Sequence, residues 1–85
     1  MESQIVALIL TNNTFLISKI EEIGADLGQP DCKLINPYVI NSELNLTPWL
    51  EEITKNDDIL ISSDKILTIV EPKKTLLDKY LELTQ

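Results

Sequence analysis

Hydrophobic residues along the chain come in short bursts separated by polar turns, the rhythm of strands rather than of long helices. From Gln4 to Leu10 nearly every residue is apolar, and this unalternating run predicts a strand covered on both faces. Asn12-Asn13 follows. Because asparagine tolerates the left-handed backbone of tight turns, the pair predicts a hairpin into a second strand from Thr14 to about Ile23. A helix stays open for that segment, since Leu16, Ile20, Ile23 and Leu27 fall at helical spacing and Gly24 or Gly28 could cap it. The strand beginning at Cys32 would then lie parallel to the first. Gly24 to Asp31 reads as a loop and Cys32 to Ile40 as a third strand interrupted at Pro37. Proline lacks the ladder donor, so it belongs at an edge or a bulge.

Between Asn41 and Asp58 the signals conflict. Thr47-Pro48 resembles a helix cap with a first-turn proline, whereas Trp49, Leu50 and Ile53 suit a bent strand, the reading adopted here. Ile59 to Ile61 and Ile66 to Val70 predict two short strands joined by a tight turn at Ser62-Ser63-Asp64-Lys65. Pro72 ends the sheet. Lys73 to Leu83 then places Leu76, Leu77, Tyr80 and Leu81 on one helical face, with Asp78 and Glu82 elsewhere. The expectation is a mainly β domain: a small, open, antiparallel five-stranded barrel over residues 4–70 with a C-terminal helix within 72–84. The last strand has an apolar edge without proline, and its pairing with a neighbouring copy, repeated head to tail, closes a ring.

Composition narrows the function classes. The 85 residues suffice for a single domain, and 44% hydrophobic residues exceed what a disordered acidic tail carries, despite a net charge of −7. Neither arginine nor histidine occurs, which excludes histidine bases, histidine metal ligands and guanidinium clamps on phosphates. Cys32 is the lone cysteine, so no intrachain disulfide forms and a reducing compartment fits best. No basic leader precedes the first strand and the run Ile5 to Leu10 is too short to span a bilayer, so a cytoplasmic protein without membrane association is expected. Asn12-Asn13-Thr14 and Asn45-Leu46-Thr47 match the glycosylation pattern but lack a secretory context. No nucleophile and base stand in a usable arrangement, so neither an enzyme nor a cofactor is expected.

Two stretches carry a family resemblance. Leu10-x-x-Asn13-x-x-x-x-Ser18-x-Ile20 has the spacing of the first Sm motif, with Asn13 and Ser18 where that motif has glycines. Ile61-Ser62-Ser63-Asp64-Lys65-Ile66-Leu67-Thr68-Ile69 resembles the second, with Ser62 and Ser63 replacing its Arg-Gly turn. The chain thus resembles the Sm/LSm ring proteins, the group that includes bacterial Hfq, over about Gln4 to Val70. Asn36-Pro37-Tyr38, Thr47-Pro48-Trp49-Leu50 and Ile69-Val70-Glu71-Pro72 are similar to small Sm-like proteins of marine cyanophages, which would place the protein in a host cytoplasm. The helix that usually precedes the first Sm strand is missing, and the RNA-binding Asp-x-x-Met-Asn turn has no clean match beyond Asp31-Cys32-Lys33-Leu34.

The resemblance implies a homo-oligomeric ring in which Asp31, Cys32 and Lys33 converge with Ser62, Ser63, Asp64 and Lys65 on a central pore that binds single-stranded RNA or DNA. Repetition of Lys33 and Lys65 around the ring would add weak phosphate contacts together. The plainer reading makes them solvated charges beside turn-forming serines. Tyr38 and Trp49 could stack bases but are more commonly core or interface aromatics, and Cys32 reads as a small buried hydrophobe. Of the acidic pairs Glu21-Glu22, Glu51-Glu52 and Asp57-Asp58, only the last sits in a turn where a cation could be held, and a solvated turn is the expectation, with no metal site. A function of another class stays open: an acidic structural or adaptor protein that engages a protein partner, through Tyr80 and Leu81 if the helix leaves its apolar face uncovered.

Overall fold

The computed structural model describes residues 4–24, 26–41, 43, 45–50, 53–55 and 58–84. Six strands form one antiparallel sheet: β1 (Gln4–Leu10), β2 (Phe15–Glu22), β3 (Cys32–Ile40), β4 (Leu46–Pro48), β5 (Asp58–Ile61) and β6 (Ile66–Val70), followed by helix α1 (Lys74–Thr84). The order is β4-β3-β2-β1-β6, and β5 also pairs with β3. One edge of β3 is therefore shared, with β4 along Tyr38 to Ile40 and β5 along Cys32 to Ile35.

The segment after β3 gives only the three-residue strand Leu46–Pro48, which stops before Trp49 and Leu50 instead of running on through them. Those two residues turn the chain. Leu50 sits at φ 64°, and its carbonyl accepts hydrogen bonds from the amides of Ile53 and Thr54. The helical alternative for the second segment does not form, since β2 pairs in register from Gln4↔Ile20 to Ile9↔Phe15. Asn13, at φ 66°, makes the hairpin, and its amide donates to the Leu10 carbonyl. The helix begins one residue later than expected, and Glu51, Glu52 and Asp57 lie outside the described residues.

Inward-facing residues of β1, Val6, Leu8 and Leu10, pack with Leu16 and Leu34 as the core, joined at its margin by Ile20, Val39, Trp49, Ile59, Ile61 and Ile66. Trp49 is thus a packing residue, and its amide donates to the Pro37 carbonyl. The β2–β3 register shifts between Ile17↔Tyr38 and Lys19↔Ile35, so Asn36 and Pro37 together face Ser18. This is the bulge that proline demands, with Asn36 at φ 53°. A bulge bends the strand and strands backbone groups that the ladder would have paired.

Helix α1 resolves that shortage. The Tyr80 hydroxyl accepts a hydrogen bond from the Lys19 amide (3.2 Å) and lies 3.0 Å from the carbonyl oxygens of both Ile35 and Asn36. The Ser18 hydroxyl, fully buried, adds donation within reach of the Lys19 and Ile35 carbonyls (2.8 and 3.1 Å). Tyr80 is itself 0% exposed and meets the Tyr38 ring edge-on, with centroids 5.7 Å apart. Tyr80 consequently anchors α1 on the sheet and, being buried, offers no surface to a partner. No helix among the described residues is long and apolar enough to cross a membrane.

Candidate functional site

The β2–β3 loop and the β5–β6 connection meet at one end of the sheet. Cys32 opens β3 directly opposite Ile61 of β5, so Asp31 just before it reaches the turn that follows β5. That turn is a single 3-10 segment, Ser63–Lys65, closed by the Lys65 amide donating to the Ser62 carbonyl at 3.0 Å. Asp31 accepts two hydrogen bonds from Ser63, one from its amide (2.7 Å) and one from its hydroxyl (2.8 Å). Both are charge-assisted and short. They hold the Asp31 carboxyl below its ordinary value of 3.8, the amide contributing more than the hydroxyl.

The structure therefore brings the seven expected residues into one neighbourhood by backbone position, and links its two segments through the Asp31–Ser63 pair. Lys33 points its ammonium at Glu21, Nζ to Oε1 3.8 Å, a pair that follows from their cross-strand register. Cys32 is 6% exposed, and burial, together with the nearby carboxylates of Asp31 and Glu22, pushes its thiol above the ordinary 9.0. It is protonated at neutral pH and is a poor nucleophile. Asp64 and Lys65 are exposed on the turn. The carboxylates of Glu21, Glu22, Asp31 and Asp64 thus outnumber the ammonium groups of Lys33 and Lys65 at this end.

Sequence reasoning missed the groove beside this cluster. A cavity of about 810 Å³ opens beside β6 and reaches the cluster itself, its lining including Val6, Ile20, Ile66 and Ile69 together with Glu22, Cys32 and Ser63. Leu67 and Ile69 are 63% and 51% exposed there, high values for aliphatic strand residues. The signal was present in the missing polar alternation of Ile66 to Val70, but a strand covered on both faces gives the same pattern. Among the described residues no group of three or more cysteine and acidic side chains is placed to hold a metal ion.

Residues 3–85 match a protein family described as a family of unknown function (DUF6561). No curated protein matches the chain.

Proposed function

With the chain belonging to DUF6561, whose function is unknown, we propose that it is a non-catalytic, Sm-like ring protein that works in the cytoplasm. Copies join head to tail through β5 and β6, and single-stranded RNA or DNA is held where Asp31, Cys32, Lys33, Ser62, Ser63, Asp64 and Lys65 of each copy meet. One observation carries this reading. β6 hangs on β1 and β5 on β3, so a single 3-10 turn links two strands that lie at opposite edges of the sheet. Each edge offers backbone groups to a strand from another copy, and the exposed Leu60 and Leu67 beside them favour burial.

Four carboxylates around two lysines make any nucleic-acid contact weak per copy, so affinity rests on repetition around the ring and falls steeply with salt. Light scattering tests the assembly, and fluorescent poly-U and poly-dT titrated at low and moderate salt test the ligand. A discrete oligomer with salt-sensitive binding that weakens in the Lys33→Gln/Lys65→Gln double variant supports the proposal. A monomer, or binding unchanged in the double variant, sinks it.

The acidity of this end and the engagement of Lys33 by Glu21 favour a second reading, an acidic adaptor that binds a protein and ignores nucleic acid. A ring that binds neither oligomer selects it.

A further inference from the structure

Strand β3 carries two partners on one edge and changes between them at the bulge. Cys32 to Ile35 pair with β5 and Tyr38 to Ile40 with β4, so Asn36 and Pro37 are the residues over which one partner gives way to the other. In a regular strand successive carbonyls face opposite edges, yet the oxygens of Ile35 and Asn36 both lie 3.0 Å from the Tyr80 hydroxyl. Asn36, at φ 53°, makes that reversal, and a left-handed residue inside a strand persists only where its surroundings hold it. Helix α1 supplies much of the hold. It seats Tyr80 on the β5 side of the bulge, and on the β4 side the Tyr38 hydroxyl donates to the Leu83 carbonyl at 3.4 Å.

Two features extend this hold to the edges of the sheet. β5 is four residues long and is carried by Cys32 to Ile35, with Asp58 opposite Ile35 as the last pair before the bulge. A strand that short, paired along this one stretch, follows the direction of the segment that carries it. At the start of the helix, residues 71–73 are all that separate α1 from β6, the opposite edge. α1 is thus tethered to one edge by its N-terminus and seated at the root of the other by Tyr80.

We propose that α1 is a strap between the two assembly edges, and that the seating of Tyr80 aims β5 to receive β6 of a second copy. With Tyr80 unseated, the segment Cys32 to Ile35 is free to turn at Asn36, and β5 turns with it. The inference rests on the edge-pairing reading of assembly and names what regulates it. Tyr80 acts at the bulge and through β3, so it is a positioning residue. By reciprocity, pairing of copies at β5 tightens the seat of α1 by the same factor by which the seated helix tightens assembly.

The test compares wild type, Tyr80→Phe and Leu8→Val at a temperature where circular dichroism shows all three folded, Leu8→Val loosening the core on β1, three strands away from β5. In dilute solution, amide exchange along β5 followed by NMR is expected to quicken at least about tenfold in Tyr80→Phe and to change far less in Leu8→Val. At rising concentration, light scattering is expected to give Tyr80→Phe a dissociation constant for assembly at least about tenfold above that of wild type. Unchanged exchange along β5, or equal quickening in both variants, overturns the strap, because helix and core would then support the sheet without distinction. Quickened exchange with an unchanged dissociation constant overturns the control of assembly. A wild-type monomer at every concentration sinks the edge-pairing reading, whereas exchange along β5 decides separately whether α1 holds that edge.

Discussion

Removal of one oxygen atom, in Tyr80→Phe, tests whether the helix holds the bend of the sheet by hydrogen bonding or by packing alone. The ring stays, and with it the edge-on contact with Tyr38 at 5.7 Å. What goes is an acceptor for the Lys19 amide and a donor shared between the Ile35 and Asn36 carbonyls. Ser18 remains within 3.1 Å of the Ile35 carbonyl, so that oxygen keeps a partner, while the Lys19 amide and the Asn36 carbonyl lose theirs. The ring above them is 0% exposed, so water reaches the site poorly. A buried group left unsatisfied costs about 1–3 kcal/mol, and with two groups only partly buried the expected loss is about 2–3 kcal/mol. For a domain of this size that lowers Tm by roughly 8–24 °C, at about 4–8 °C per kcal/mol. Urea unfolding at fixed protein concentration, followed by fluorescence of Trp49, the single tryptophan and a residue packed on the core, gives the value directly. An unchanged m-value with a loss below about 0.5 kcal/mol would refute the reasoning. A double-mutant cycle with Ser18→Ala is expected to show coupling, because both hydroxyls address the Ile35 carbonyl.

Four further outcomes follow. Burial raises the Tyr80 phenol above 10.0, so its stabilisation is complete below that pH and is lost as pH rises through the folded-state value. Wild type should therefore lose stability more steeply than Tyr80→Phe above pH 10, and parallel denaturation curves would count against it. Asp31 shows the opposite sign, its depressed carboxyl stabilising the turn above 3.8 and releasing it as pH falls below, so Asp31→Ala should speed amide exchange at Ser63 at neutral pH. Protection that survives the substitution would contradict the bond. At the hairpin, Asn13→Gly should change stability by a few tenths of a kcal/mol while Asn13→Val costs about 1–2 kcal/mol or more, and equal effects in thermal melts would contradict the left-handed turn. Leu60→Lys and Leu67→Lys, on the two open edges, should each reduce the mass measured by light scattering without altering the circular dichroism spectrum; a mass unaffected by both would count against edge pairing.

Much of the sheet could be read from nearest neighbours in sequence. The nearly all-apolar run Gln4–Leu10, the Asn12-Asn13 turn and the helical spacing of Leu76, Leu77, Tyr80 and Leu81 each declare themselves within one element. Pro37 announced an edge or a bulge because its missing donor is a local fact, and the β2–β3 register selects the bulge. What stayed hidden depends on residues far apart in the chain. Tyr80 meets Lys19 across 61 positions, and nothing in a helical stripe distinguishes the tyrosine that stitches a bulge from a leucine that covers one. Asp31 and Ser63, both read as candidate residues, are 32 positions apart, and their bond depends on the Cys32↔Ile61 register. Lys33 looked available until Glu21↔Lys33 pairing placed a carboxylate across from it. Leu46–Pro48 was obscured because Thr47-Pro48 carries the local chemistry of a helix start, and pairing with Tyr38 to Ile40 overrides it.

The dependence of the bulge on Tyr80 also gives the chain a direction in time. All six strands precede α1, so during synthesis the bend at Ser18 and Asn36 emerges long before the side chain that completes it. Until then the Lys19 amide and the Asn36 carbonyl are exposed in the middle of an otherwise pairable sheet, and water is their partner. A nascent chain arrested before Tyr80 is expected to hold its strands loosely, with the bend free to slip in register. Arrival of α1 then acts as the closing step, and an element made after all six strands decides when the first ones stop rearranging.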